Sequence, residues 1–146
     1  MYLIDTNVIS EARKQAKANP GVIDFFRRAA SSAAPLYLSS VSVGELRRGI
    51  ELIRHRGDAA HAEQLETWLA TVLTDFSGNI LPFDAECAQV WGALRVPDPS
   101  HEIDKQIAAI ALVNDLTLVT RNLADFAHTG VRLTNPFVPG SAGARP

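Results

Sequence analysis

Short apolar runs alternate along the chain with longer stretches that have helical periodicity, and this alternation limits the folds open to it more than any other feature. Four of the apolar runs stop abruptly at polar residues, at 2–4, 36–38, 80–83 and 116–119. Runs of this length and pattern are typical of buried strands. A further run, at 131–133, is a candidate edge strand.

Between these runs, apolar residues recur every three or four positions, which predicts amphipathic helices. The predicted helices cover 21–30, 41–54, 60–76, 85–95 and 102–114. Strands that alternate with helices of this length favour a parallel sheet covered by helices on both faces. The segment 55–58 separates two of the helices and resembles the tip of a helical hairpin.

The composition is that of one ordinary globular domain, with 146 residues, 47% of them hydrophobic and 21% charged. We expect this domain to span 1–138 and the Gly- and Pro-rich segment 139–146 to be a flexible tail. Cys87 is the one cysteine, which excludes an intrachain disulfide and a cysteine zinc site and fits a reducing compartment. No apolar run approaches the roughly 20 residues that span a bilayer, so we expect a cytoplasmic protein without membrane association.

The charge balance argues against a general nucleic-acid-coating protein. The net charge is −2 and the sequence pI about 6.1, whereas domains that bind nucleic acid by phosphate neutralisation have a pI above about 9. A nuclease remains compatible, because acids that hold metal ions lower the net charge while separate basic stretches contact phosphates. The basic stretches, each more typical of a solvated helix face, are 13–14 with 17, 27–28, 47–48 and 54–56.

Acidic residues follow the predicted strands, at the edge of an α/β sheet where ligands bind. Asp5 comes directly after the first strand, which is expected to be central. It is equally suited to capping the next helix together with Thr6 and Asn7. The sequence alone leaves both interpretations open.

Glu45 follows the second strand and also has two interpretations. With Ser42 it fits a capping box, which predicts a helix that starts at Ser42. A helix that starts at Ser39 or Ser40 instead places Glu45 more than one turn inside, where it can point back over the strand ends.

Two more acidic positions lie near the later strands. Asp104 heads an apolar helix stripe, since the residues three, four and seven places on are apolar, and a charge there is costly unless it is paired or binds a metal. Asn122 follows the fourth strand and is a candidate N-cap, with Asp125 at the third helical position. Either residue is equally suited to adding an oxygen to a metal shell.

All these positions converge on strand ends or on the helix turns that follow. Oxygen donors without a nearby cysteine, and with His101 as the one neighbouring histidine, favour Mg²⁺ or Mn²⁺ over zinc. Such ions lower the pKa of a bound water and stabilise the leaving oxygen of a phosphodiester. The predicted reaction is therefore phosphodiester hydrolysis.

Several motifs resemble, in order and spacing, those of a VapC-type PIN domain. They are LIDTNVISE at 3–11, the segment 38–46 with Gly49, the segment 104–109, VTRN with DF across 119–126, and NPF at 135–137. The match covers nearly the whole chain except the tail. The ordered set is far more specific than any single motif.

This resemblance implies a three-layer α/β/α sandwich with a four- to five-stranded parallel sheet. It also implies a Mg²⁺-dependent endoribonuclease that acts on RNA, with Mn²⁺ as a second candidate ion. Such a chain is the toxin of a toxin–antitoxin pair, forms a homodimer, and is inhibited by a VapB-like antitoxin that inserts a segment near the site. The hairpin at 41–76 resembles the clamp that binds the partner, where Leu65, Trp68 and Leu69 form either a groove or simply core.

The resemblance also assigns roles to residues. Asp5, Glu45 and Asp104 match the three principal acids of the family. Some members carry Asp where this chain has Asn122, which leaves Asp125 as the nearest substitute for a fourth acid. Residues beside the acids are assigned supporting roles: Thr6, Asn7, Thr120 and Arg121.

Two other functional classes compete with the nuclease. A phospho-receiver domain also places acids and a threonine at strand ends, but it needs paired acids after the first strand and a lysine after the fifth, and neither is evident. A degenerate PIN fold that acts mainly as a DNA-bound regulatory partner of its antitoxin is the main alternative. The three intact acids argue against it.

Overall fold

Five parallel strands form one sheet in the computed structural model, which describes residues 1–138, so the predicted tail lies outside the described residues. In spatial order the sheet runs β3-β2-β1-β4-β5, with β1 at its centre as expected. The strands are β1 (Tyr2–Ile4), β2 (Leu36–Ser39), β3 (Ile80–Leu81), β4 (Thr117–Val119) and β5 (Leu133–Thr134).

Six α-helices accompany the sheet within residues 1–138, together with two short 3-10 helices at Gln15–Lys17 and Leu123–Phe126. The α-helices are α1 (Thr6–Ala12), α2 (Pro20–Ser31), α3 (Ser40–His55), α4 (Ala59–Asp75), α5 (Ala85–Leu94) and α6 (Glu102–Val113). Over the same residues, none of the helices is long and apolar enough to cross a membrane.

Helices cover both faces of the sheet. Neighbouring residues of a strand point to opposite faces, so Leu3 and Ile4 of β1 show which helices lie on each side. Ile4 belongs to a core cluster with residues of α1, α2, α3 and α4. Leu3 belongs to a second cluster with residues of α5 and α6 and with Phe126. The predicted three-layer α/β/α sandwich with a parallel sheet is thus confirmed.

The helix α1 is not among the five predicted helices, and the predicted elements differ from the observed ones at their ends. The run 80–83 contributes only two residues to β3, and the strand stops before Pro82, which has no N–H to donate to a neighbouring strand. The last strand, β5, lies at 133–134 rather than 131–133, and it is an edge strand as expected.

The start of α3 is fixed by a buried serine cap. Ser39 ends β2, and its Oγ accepts a hydrogen bond from the Ser42 backbone N–H at 2.9 Å and donates one to the Ser42 Oγ at 3.1 Å. The capping-box interpretation of Ser42 and Glu45 is therefore wrong, because α3 begins at Ser40. Glu45 lies more than one turn inside the helix, as the alternative interpretation required.

The hairpin of α3 and α4 turns at 56–58, where Asp58 caps α4 by accepting the His61 N–H at 3.1 Å. An ion-pair network joins the two helices: Arg47 and Arg54 both contact Glu66, and their hydrogen bonds lower the pKa of Glu66 to about 2. Of the two alternatives for this hairpin, groove or core, the structure favours core, since Leu65 and Leu69 are buried in the core cluster and Trp68 packs against that cluster.

Candidate active site

The carboxyl ends of the neighbouring strands β1 and β4 bring Asp5 and Thr120 together. Both side chains are buried, and the Thr120 hydroxyl donates a hydrogen bond of 2.7 Å to Asp5 Oδ2. The other carboxylate oxygen, Asp5 Oδ1, accepts the Thr6 backbone N–H at 2.8 Å, so Asp5 also caps α1. Asp5 therefore caps the helix and is also a buried acid at the strand ends, and its role in a ligand site stays a prediction.

Asn7 ties this corner together. Its Nδ2 donates to Asp5 Oδ2 at 3.3 Å and to Thr120 Oγ1 at 3.4 Å, while its Oδ1 accepts the Arg121 backbone N–H at 3.2 Å. The Thr6 Oγ1 atom is buried and has no hydrogen-bond partner among residues 1–138. These contacts fix the orientation of the Asp5 carboxylate.

Asp104, Asp125 and His101 form a second group of metal-ligand types beside this corner. One ligand atom from each lies within 4.8 Å of the others. His101 Nδ1 is 3.6 Å from Asp104 Oδ2 and 4.0 Å from Asp125 Oδ1. His101 directly precedes α6 with a left-handed backbone, φ +56°.

His101 was not among the residues predicted for the site. Its spacing contained a usable signal, because a residue three positions before Asp104 at the start of a helix lies close to it in space. What the sequence did not show was the position of Asp125, which comes from the 3-10 helix after β4.

The electrostatics link the two groups. Burial raises the pKa of Asp5, although hydrogen bonds from Thr120, Thr6 and Asn7 oppose that rise and the charge of Asp125 adds to it. The pKa of Asp104 is also raised, first by burial and then by the charges of Asp5 and Asp125. Asp5, Asp104 and Asp125 therefore form one set of mutually repelling carboxylates.

Two other predicted site residues, Glu45 and Asn122, are not members of this set. Glu45 is half-buried on α3, and no hydrogen bond or ion pair joins it to Asp5 or Asp104 within residues 1–138. Asn122 is exposed and donates its backbone N–H to Thr120 Oγ1 at 3.1 Å. It occupies the predicted N-cap position, but its side chain makes no capping hydrogen bond, and the oxygen that lies near the other acids is that of Asp125.

The donor set fits a divalent cation. Three carboxylates that repel one another lose that repulsion when an ion binds between them. Thr6, the residue after Asp5, has a buried hydroxyl without a hydrogen-bond partner among residues 1–138. Carboxylate and hydroxyl oxygens suit hard ions such as Mg²⁺, while one imidazole also suits Mn²⁺ and other transition metals. The cluster of His101, Asp104 and Asp125 could therefore hold a metal ion.

Sequence similarity places this site in a known family, because residues 2–131 match the PIN domain. The chain belongs to the PIN-domain family. It is 35% identical over 144 residues to toxin FitB of Neisseria gonorrhoeae, and the alignment covers 94% of this chain and 99% of FitB. It is 30% identical over 145 residues to VapC ribonuclease Y4jK of Sinorhizobium fredii, covering 95% and 99% of the two chains.

The fold comparison agrees with the sequence comparison. The crystal structure of FitAcB from Neisseria gonorrhoeae superimposes with a TM-score of 0.78 at 32% identity, covering 94% of this chain and 99% of that one. The family match over residues 2–131 includes Asp5, Asp104 and Asp125.

Proposed function

We propose that this PIN-domain protein is a Mg²⁺-dependent endoribonuclease and the toxin of a toxin–antitoxin pair. The observation that carries the proposal is the single coupled set of Asp5, Asp104 and Asp125, drawn from three separate elements to one edge of the sheet. The names of two relatives support it, since one is called a VapC ribonuclease and the other toxin FitB.

Asp5, Asp104 and Asp125 are the residues that would hold the ion, with His101 beside the last two. Glu45 is proposed as a further acid, because α3 leaves the same edge of the sheet directly after β2. When bound, a divalent ion polarises the scissile phosphate and lowers the pKa of a water. Mg²⁺ is the proposed ion and Mn²⁺ the alternative.

The chain itself orients and shields the reacting groups. Thr120, Asn7 and the Thr6 N–H hold both oxygens of Asp5 in fixed directions, so this carboxylate needs little rearrangement to bind an ion or a proton. Burial of Asp5 keeps bulk water from its charge, which strengthens its attraction to a cation. Asn122 reinforces the corner through its N–H to Thr120.

We further propose that a VapB-like antitoxin inhibits the protein and that the chain forms a homodimer in the cytoplasm. The solved structure of FitAcB from Neisseria gonorrhoeae, which matches this chain over nearly its full length, supports the fold on which this proposal depends. The α3–α4 hairpin is the proposed surface for the antitoxin, as the family resemblance implies.

The direct test is cleavage of total cellular RNA by the purified protein with Mg²⁺, run beside Asp5→Asn and the surface control Glu63→Gln. We expect cleavage by the wild type and by Glu63→Gln, its loss with EDTA, and its loss in Asp5→Asn. Equal cleavage by Asp5→Asn would identify a contaminating nuclease and contradict the proposal. Thermal melting of each variant confirms that the comparison is between folded proteins.

A further inference from the structure

Five of the ten basic side chains in the stretches that the sequence offered for RNA pair with acids of this chain: Lys14, Arg27, Arg28, Arg47 and Arg54. Arg27 and Arg28 both pair with Asp24, at 3.1 and 2.9 Å. Arg47 and Arg54 belong to the network around Glu66 described above. An arginine already paired with a carboxylate has less of its charge available for a phosphate, so the unpaired cations become the relevant ones.

Arg121 is a cation whose backbone is joined to the Asp5 corner through Asn7. Its side chain is exposed and makes no ion pair within residues 1–138, and it immediately follows Thr120, which contacts Asp5. Glu11 attracts it electrostatically, but the hydrogen bonds of the Glu11 carboxylate go to Lys14 and to the Asn19 N–H. The guanidinium of Arg121 therefore keeps its donors free of any carboxylate in the described part of the chain.

The backbone of Arg121 is held on both sides. Its N–H donates to Asn7 Oδ1 at 3.2 Å, and its carbonyl oxygen accepts Asn135 Nδ2 at 3.4 Å. Asn7 is the same residue that contacts the Asp5 carboxylate. The position of Arg121 is thus set by the residues that set the position of the acid.

The guanidinium of Arg121 stacks on an aromatic ring. Its central carbon lies 4.9 Å from the centroid of Phe137. Phe137 is itself fixed, because its N–H donates to Asn135 Oδ1 at 2.9 Å and its ring packs against the core cluster of α1 to α4. A cation–π contact orients a guanidinium without neutralising it, so Arg121 is preorganised while keeping its full charge.

We propose that Arg121, stacked on Phe137, is the positioning residue that binds a phosphate of single-stranded RNA beside the carboxylate cluster. A planar guanidinium donates two parallel N–H bonds to phosphate oxygens, and its exposed face together with the ring edge gives a platform for a base. The contact offsets the repulsion between the RNA backbone and the acids. This inference rests on the proposed ribonuclease function.

A binding assay tests the contact between Arg121 and phosphate. Fluorescence anisotropy follows the binding of a fluorescein-labelled single-stranded RNA of mixed sequence to the Asp5→Asn protein over a series of salt concentrations. Arg121→Gln should weaken binding about tenfold, because a charged hydrogen bond is lost. It should also reduce the slope of log affinity against log salt by about 0.7, the value for one phosphate of a single strand. Arg121→Lys should keep the slope.

Two further variants separate stacking from general charge. Phe137→Leu should weaken binding with an unchanged salt slope, because it removes the ring and leaves the cation. Arg56→Gln is the matched control: Arg56 is exposed, makes no ion pair within residues 1–138, and lies beyond the far end of α3, whose 16 residues extend about 24 Å. Arg56→Gln should change neither the affinity for RNA nor the salt slope. An effect of Arg56→Gln equal to that of Arg121→Gln would overturn the inference.

The test is completed by cleavage kinetics, measured with the Arg121 variant in a protein that retains Asp5. Arg121→Gln should raise KM more than it lowers kcat, since the contact acts in both the ground state and the transition state. If the wild type cleaves RNA in an Asp5-dependent manner and Arg121→Gln matches it in affinity, slope and KM, the inference is overturned and the ribonuclease function stands. If the wild type neither binds nor cleaves RNA, both are overturned.

Discussion

Replacing Asp104 by Asn should stabilise the metal-free protein. Asp104 is half-buried in the first turn of α6, and its carboxylate is repelled by Asp5 and Asp125. The change to Asn keeps the size of the side chain and removes one charge from the set. An enzyme site that gains stability when a functional charge is removed is typical of carboxylates gathered for an ion.

The size of the effect follows from the separation of the oxygens. Asp104 and Asp125 offer atoms within 4.8 Å of each other, a distance at which two unit charges repel by about 0.9 kcal/mol in water and about 3.5 kcal/mol at an effective dielectric constant of about 20. The side chains are 32% and 36% exposed, which favours the lower part of that range. Loss of a helix-dipole contact subtracts about 0.3–1 kcal/mol. Loss of the charge that His101 faces, with His101 Nδ1 3.6 Å from Asp104 Oδ2, reduces the gain further.

The net gain is therefore about 1 kcal/mol, or a rise in Tm of roughly 3–5 °C for a chain of this length. The assay is thermal melting by circular dichroism in mildly alkaline buffer with EDTA, with Glu63→Gln as a control that removes one exposed charge from α4. Excess Mg²⁺ or Mn²⁺ should then stabilise the wild type more than the variant, because binding to the folded state adds to its stability. A variant that melts below the wild type in EDTA refutes the reasoning.

Three other predictions follow from the same structure. In EDTA, the pKa values of Asp5 and Asp104 are raised in the folded protein, so the free energy of unfolding falls as the pH rises from their ordinary pKa of 3.8 through the folded-state pKa. The loss is about 1.4 kcal/mol for every pH unit between the unfolded-state and folded-state pKa values. Urea melts of wild type and Asp104→Asn across this pH window isolate the contribution of Asp104, and an equal pH dependence of the two proteins would contradict the prediction. Gly21→Ala should destabilise the protein by about 1–3 kcal/mol, because the added Cβ overlaps the Pro136 carbonyl oxygen. Gly49→Ala inside α3 meets no atom within 4 Å and should stabilise the protein by about 0.5–1 kcal/mol. Urea midpoints of both variants equal to that of the wild type would contradict both predictions. Ser39→Ala should cost about 1 kcal/mol by removing the buried cap of α3, measured in the same urea melts, and an unchanged midpoint would show that the cap is dispensable.

The fold was predictable because its signal is local. Four of the five strands lie in apolar runs that stop at polar residues, and each long helix has a continuous apolar stripe. The short helix α1 is not among the predicted helices, and the other errors lie at element ends, where single contacts decide. Ser39 ends β2 and caps α3 at once, and a buried hydroxyl pair with Ser42 is a tertiary feature that the pattern Ser42-x-x-Glu45 does not reveal.

The candidate site was predictable only in part, because its members come from distant segments. Asp5 and Asp104 could be inferred from their positions after a strand and at the head of an apolar stripe. The choice between Asn122 and Asp125 depends on how the short 3-10 helix turns after β4, which spacing does not determine. His101 depends likewise on a left-handed backbone before α6.

A crystal of the protein soaked in Mn²⁺, with anomalous diffraction data, tests the central claim most directly. The account predicts an anomalous peak at about 2.0–2.2 Å from carboxylate oxygens of the set formed by Asp5, Asp104 and Asp125, and no such peak in a matched crystal of Asp104→Asn. Anomalous peaks found only elsewhere on the molecule, or an unchanged peak in that variant, would contradict it.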